Sequence, residues 1–430
     1  MAQVYPFTGI RYNPAVVGDP SSVICPPYDV ISPAFQRELY ERNKYNFVRI
    51  EHGRQLSRDT GRANKYTRSL ATLRSWLKQG VLESAPHPAI YLHDHHFTLQ
   101  GKSYRRRGIV VALALSEWDR GIVRPHEGTL ANPKSDRLTL LRTLRANTSP
   151  ILALFTGTAS LSQMLEEATK KPPLLSSELL NGERHDIWAI EDEGKIAGIA
   201  GSLAPQPIYI ADGHHRYESA LAFRRETRAH SDVTGKEPFD SVMATLTDFA
   251  DPGLIVLSPH RLLSGLSQSK LSGLAAGIHD LFAVEAMPLS LPGFWQRVDG
   301  ALTDSESGRL AVFGLDRDRL WLLRCRDAKP IHSLMPSGHS EIYQRLDVSL
   351  IEHIILEGLL GLADEANLSY SYDREDAIDR VRHGQCQLAL LLSPVMSTLI
   401  KAVADAGDRL PRKSTYFYPK APAGLIFRLI

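Results

Sequence analysis

The segment that most constrains this chain is IYIADGHHRYESA, Ile208 to Ala220. Ile208, Tyr209 and Ile210 are β-branched or aromatic and predict a strand. Asp212-Gly213 is a turn pair, and Gly213 permits the positive φ and close backbone approach that a tight turn needs. From His214 the pattern becomes helical, with Tyr217, Ala220 and Leu221 on amphipathic spacing. A strand, a tight turn and a helix start in succession leave the first N–H groups of the helix pointing outward. That end of the helix dipole favours an anion. His214, His215 and Arg216 add donors at the same point, and the arginine fork matches a phosphate. Asp212 would repel a bare anion. It fits if it binds a metal ion escorting the phosphates, or acts on the substrate. The competing reading is that Asp212 only caps the helix and the histidines are surface polar residues.

Bulk properties narrow the setting. The chain has 430 residues, enough for about two to three domains. Its formal net charge of +2 is too small for a nucleic-acid binder by bulk electrostatics. The basic cluster Arg105-Arg106-Arg107 is expected to be a solvated strand end, because a nucleic-acid footprint is a broader patch. Three distant cysteines, Cys25, Cys325 and Cys386, offer neither a disulfide framework nor a Cys-x-x-Cys metal pair. Cys25 has no evident nucleophile partner and is expected to be a small buried or loop residue. A reduced cytoplasmic setting fits. No apolar signal core and no run of about 18 apolar residues is present, so no membrane partner is expected.

Strand and helix patterns alternate without a regular βαβ rhythm, which predicts an α+β fold with a mixed sheet. CPPYDVIS, Cys25 to Ser32, is expected as an ordered irregular loop, followed by a helix over about 34–43 capped by Ser32 and started by Pro33. FVRIE, Phe47 to Glu51, reads as a short strand. A second helix is expected over 64–79, a third over RLTLLRTLRANT, and another over 349–362. AIYLHDHHFTLQ and YRRRGIVVALAL read as paired strands. Soft boundaries divide the chain into an N-terminal α/β region (1–120), a core that holds the Ile208–Ala220 segment (121–264), which the resemblance described next implies to be nucleotide-binding, and a C-terminal α/β region (265–430).

The box Gly213-His214-His215-Arg216-Tyr217-Glu218-Ser219-Ala220 resembles the phosphate-binding box of the ParB/sulfiredoxin-like superfamily, a G-x-x-R-aromatic-x-small-A pattern. Ser219 departs mildly, standing where alanine is usual. The Asp-Gly-His-His-Arg form looks like the free serine kinase branch of that superfamily. Across the chain, CPPYDVI, RPHEGT with LANPKSDRLTLLRTLRANTSPI, IADGHHRYESA, DPGLIVLSPHR and RKSTYFYPKAPAGLIF resemble the prokaryotic domain-of-unknown-function family "ten-fifteen" of that branch. The resemblance implies a ParB/sulfiredoxin-like core with added N- and C-terminal α/β segments. It also implies phosphoryl transfer from ATP or ADP, with Mg2+, to the hydroxyl of free L-serine or a similar small metabolite. On that reading the Gly213 and His214 backbone, with His215 and Arg216, holds the nucleotide phosphates, and Asp212 positions magnesium or the transferred group. The alternative is a ParB-like nucleotide-binding regulatory or DNA-associated protein without turnover. It would need a helix-turn-helix after the box, where the sequence instead reads as apolar strands. A metal-dependent hydrolase or nuclease is a third class.

Other residues supply candidate partners. Glu127, in Pro125-His126-Glu127-Gly128-Thr129, is a candidate general base, and His126 a candidate phosphate contact. Glu51 is the rival base. Arg137 is a candidate to neutralise a phosphate or a substrate carboxylate. Lys413, Ser414 and Thr415, in KSTYFYPK, read either as a clamp on substrate or nucleotide base, or as part of a folded-back strand. Asn46, Arg49 and Asp29 are family-like positions, with an Asx turn the simpler reading of Asp29. His260 and Arg261 end an apolar strand and could face a cleft or serve as a cap. His93-Asp94-His95-His96 invites a metal reading, but a strand puts only His93 and His95 on one face. An exposed strand is the expectation there.

Overall fold

The strand GIVVALA within Lys102–Ala114 is apolar without interruption, and it forms the centre of the sheet. Ile109, Val111 and Leu113 pack into one core while Val110 and Ala112 pack into another on the opposite face. Burial on both faces is what a continuous apolar run requires. The structure, a computed structural model, describes residues 1–128, 131–179, 181–230, 234–303, 309–326, 333–362 and 367–430; for residues 131–133 and 303 only the backbone is described. Thr129, the last residue of RPHEGT, and Leu130 lie outside the described residues.

The chain divides into two units. The first comprises Met1–Pro125, Thr129–Ile255 and Pro419–Ile430, the second His126–Gly128 and Val256–Tyr418. This differs from the three segments expected. The 1–120 region and most of 121–264 share one sheet, because pairing between strands distant in sequence cannot be read from local pattern.

In the first unit the main sheet runs Val123–Pro125, Ile208–Asp212, Ile151–Phe155, Ser241–Asp248, Lys102–Ala114, Ile90–Leu99, Arg184–Ile190, Leu175–Glu178, with Val4–Tyr5 also pairing Lys102–Ala114. Ile208–Asp212 is parallel to Val123–Pro125, and Ser241–Asp248 is parallel to Ile151–Phe155. The other pairings of the described strands in this sheet are antiparallel, so the sheet is mixed and the fold α+β. One face is covered by Tyr217, Ala220, Leu221 and Phe223 of the His214–Ala229 helix, with Ile199 and Leu203 of Glu193–Leu203. Leu39, Leu73, Trp76 and the Phe47–Ile50 turn cover the other. A four-stranded sheet joins Leu82–Ser84, Gly9–Tyr12, Phe427–Leu429 and Ala146–Asn147. The second unit holds a six-stranded antiparallel sheet with a core on each face.

Four local expectations are corrected. FVRIE is not a strand: Val48–Glu51 is one helical turn. The buried Asn46 side chain accepts from the Val48 N–H and donates to the Ser22 and Ile24 carbonyls, which bends the backbone inward. The expected 349–362 helix is Asp347–Leu350 followed by a wider π-helical run, Ile351–Leu359. The His93–His96 strand is interior rather than exposed, since Arg184–Ile190 pairs along it. Arg106 and Arg107 are buried rather than solvated, and Arg107 forks onto Asp94 with two 2.7 Å bonds. No described helix is long and apolar enough to cross a membrane.

Candidate phosphate-binding and transfer site

The box folds as its pattern requires. The Ile208–Asp212 strand ends at a register shift against Ile151–Phe155, between Ile210 and Asp212. A bulge of this kind re-aims a side chain at a strand end. Gly213 follows with φ +91° and is the N-cap of the His214–Ala229 helix, with no side-chain cap. Asp212 is therefore not the cap. A Cβ on Gly213 would lie 2.9 Å from Ile151 Cγ2 and 3.0 Å from Arg216 Nε, so the position is closed to side chains by space as well as by φ. Tyr217, Ser219 and Ala220 of the box are structural. The Tyr217 hydroxyl donates to the Ser116 carbonyl at 2.8 Å, and Ser219 Oγ donates to the Lys134 carbonyl at 3.0 Å. His214 is buried and His215 half-buried at the start of the same helix.

Asp212 faces cations. Arg216 Nη2 donates to Oδ2 at 3.0 Å, and Lys420 Nζ donates to Oδ1. Lys420 also lies 3.6 Å from Asp29 Oδ2. Burial alone would raise the Asp212 carboxyl, but Lys420 and Arg216 hold it well below the usual carboxylate range. Burial would lower the Lys420 ammonium, yet Asp212 and Asp29 keep it raised. The ammonium thus stands between the two carboxylates, where a divalent ion would have to sit. This donor set does not fit a resident magnesium at Asp212.

Glu51 is the second element. It is fully buried at the end of the Val48–Glu51 turn. Its Oε1 accepts from Ser149 Oγ at 3.2 Å and from Arg137 Nη1 at 3.4 Å, while Oε2 has no hydrogen-bond partner among the described residues. Ser149 Oγ also accepts from Arg216 Nη1 at 3.0 Å. Glu51 and Arg216 are thereby two hydrogen bonds apart. Arg137 further binds Asp136 Oδ2 at 2.6 Å and lies 4.0 Å over the Tyr28 ring. Burial lifts the Tyr28 hydroxyl to about 12 even though Arg216 and Arg137 pull it down.

The structure brings Glu51, Arg137, Asp212, Gly213 and Arg216 together in the first unit. Glu127, His126, Lys413, Ser414 and Thr415 fall in the second. There the Lys413 N–H donates to Glu127 Oε1 at 2.8 Å, His126 Nε2 lies 3.0 Å from Thr415 Oγ1, and Ser414 Oγ donates to the Pro411 carbonyl. The Tyr416–Tyr418 strand follows with Phe417 buried, in line with the folded-back reading of that tail. In the same unit His260 Nδ1 accepts the Leu392 N–H at 3.2 Å, and Arg261 is fully buried. Arg49 is tied to the Tyr40 carbonyl at 2.7 Å. Cys25 is buried and pairs its backbone with Ala423.

Sequence reasoning did not single out Ser149, offered Lys420 only within the KSTYFYPK stretch, and preferred an Asx turn for the family-like Asp29. The available signal was the family marks themselves: CPPYDVI holds Tyr28 and Asp29, ANTSPI holds Ser149, and YPKAPAG holds Lys420.

Residues 4–349 match the family described as "Protein of unknown function (DUF1015)". The chain belongs to that family. None of the curated proteins matches it. Among solved structures, a free serine kinase in complex with AMP is 12% identical, covers 72% of this chain and 86% of its own, and has a TM-score of 0.36. A conserved hypothetical protein from Pyrococcus furiosus is 11% identical, with 75% and 95% covered and a TM-score of 0.37. SbnI with a C-terminal truncation, from Staphylococcus aureus, is 11% identical, with 70% and 81% covered and a TM-score of 0.33. In this DUF1015 chain the cluster from Asp29 to Lys420 spans four of the sequence marks that the resemblance rests on.

Proposed function

We propose that the first unit binds ATP or ADP by its phosphates at the N-terminus of the His214–Ala229 helix and transfers a phosphoryl group to the hydroxyl of a small metabolite. Free L-serine or a close analogue is the acceptor suggested by the resemblance of the Gly213–Ala220 box. The observation that carries the reading is Glu51. A buried carboxylate whose second oxygen has no partner among the described residues is joined through Ser149 to Arg216, which puts a proton acceptor and a phosphate anchor in one hydrogen-bonded network.

Each residue then has a role. Glu51 Oε2 takes the proton of the acceptor hydroxyl as its oxygen bonds to phosphorus and the bond to the leaving nucleotide phosphate breaks. Arg216 and the first-turn N–H groups hold the phosphates, and Lys420 neutralises charge as it exchanges Asp212 for a phosphate oxygen. Arg137 fixes the Glu51 carboxylate. Magnesium, on this reading, enters with the nucleotide as part of the substrate. Glu51 stands ahead of Glu127 as the base because it is joined through Ser149 to Arg216 within the first unit, whereas Glu127 belongs to the second.

The test is phosphorus NMR of the full chain with ATP or ADP, magnesium and each free amino acid. Phosphoserine, or one other phosphorylated metabolite, is expected. Glu51→Gln should slow transfer by about 100-fold or more and leave AMP affinity within a few fold. An absence of product with both nucleotides overturns the kinase reading. Transfer that survives Glu51→Gln but stops in Glu127→Gln moves the base to Glu127. Unchanged nucleotide affinity in Arg216→Ala would remove the phosphate assignment.

A further inference from the structure

The second concentration of ligating groups in the first unit lies on the sheet, among residues the transfer reading does not use. His95 and His185 are directly opposite each other on the paired strands Ile90–Leu99 and Arg184–Ile190. Glu183 precedes the second of these strands. His95 Nε2 is 2.7 Å from Glu183 Oε2, and His185 Nε2 is 3.9 Å from the same oxygen. One ligand atom from each of the three residues lies within 4.8 Å of the others. His185 is fully buried and its Nε2 has no hydrogen-bond partner among the described residues.

We propose that His95, His185 and Glu183 form a binding site for a divalent cation of the zinc class, with water at the fourth position. The donor set is two imidazole nitrogens and one carboxylate oxygen, which suits zinc or cobalt and not magnesium or calcium. Tetrahedral bonds of about 2.0–2.2 Å place ligand atoms roughly 3.3–3.5 Å apart. The present separations bracket that spacing, so small side-chain rotations suffice.

Outer contacts already orient the ligands. His93 Nε2 lies 2.9 Å from His185 Nδ1. When His185 donates its Nδ1–H there, its Nε2 lone pair points into the cluster. Asn181 Nδ2 donates to Glu183 Oε1 at 2.7 Å, which leaves Oε2 to the histidines. Carboxylate, amide and imidazole partners of this kind are what tune metal-ligating side chains. Arg106 is the competing group. Its Nη2 donates to His95 Nδ1 at 3.2 Å and to the Pro419 carbonyl at 2.7 Å. On metal entry the His95 proton passes from Nε2 to Nδ1, and Arg106 retains the Pro419 carbonyl.

The experiment uses the untagged full chain, stripped by chelator and titrated with Co2+. One equivalent should bind with the intense visible absorption of four-coordinate cobalt, be displaced by Zn2+, and raise Tm. His93→Phe should weaken binding by about 10–100-fold, and Glu183→Gln by at least as much. Glu183 is less deeply buried than His185, so Glu183→Gln is the informative variant should His185→Gln fail to fold. Unchanged Co2+ affinity and spectrum in Glu183→Gln, or no saturable binding by the wild-type chain in the micromolar range, overturns the site.

Discussion

At the scale of single residues the Asp212–Lys420 pair has consequences that a melt can read. The folded-state Asp212 carboxyl is depressed, so its contribution is present above the unfolded value of about 3.9 and lost as pH falls below it. The Lys420 ammonium is raised, so its contribution is present below about 10.4 and lost as pH climbs through the higher folded value. Stability from this pair therefore spans roughly pH 4 to 10. Lys420→Met should destabilise the first unit by about 3 kcal/mol, at the low end for a broken buried pair because Arg216 stays on Asp212. It should also move the acid limb of the urea-unfolding profile to higher pH. An acid limb that does not move would show that Lys420 is not what depresses Asp212. Of this constellation the sequence exposed Asp212 and Arg216, which lie on either side of Gly213 and four positions apart. Lys420 lies 208 positions away, and no local pattern announces such a partner.

At the scale of elements, the strand–bulge–glycine–helix unit was legible because its causes are local. β-branched residues, a turn pair and amphipathic spacing act over a dozen positions. Gly213→Ala tests that unit. It forces a side chain into φ +91° and against Ile151 and Arg216. A cost of about 1–2 kcal/mol from the backbone alone is expected, with AMP affinity reduced tenfold or more because Arg216 must shift. Calorimetric titration with AMP and a thermal melt measure the two effects separately. FVRIE shows the limit of local reading. Its composition is that of a strand, but the Asn46 side chain satisfies the Val48 N–H and buried neighbours take Val48 and Ile50. Packing outweighed a β-propensity whose whole range is about 1 kcal/mol.

At the scale of the whole molecule, each unit has its own cores. Ile109, Ile151, Ile210 and Tyr217 share one in the first unit, and Leu263, Ile278, Leu323 and Leu390 share one in the second. Separate cores predict unfolding that is not a single two-state step. The calorimetric enthalpy should exceed the van't Hoff enthalpy. Saturating Zn2+, if the His95 site binds it, should shift only the transition of the first unit. A single transition with equal enthalpies would contradict the prediction.

The sequence by itself determined the α+β class, the strand–glycine–helix unit at Ile208–Ala220 and the membership marks strung along the chain. These depend on propensity, periodicity and motif, which operate between near neighbours. Tertiary structure decided which distant charges meet. It set Lys420 on Asp212, Ser149 between Glu51 and Arg216, and His185 opposite His95. It also buried a histidine-rich strand that alternation alone marks as exposed. Burial makes pairing obligatory for charged groups, and only the packed chain determines which partner is within reach.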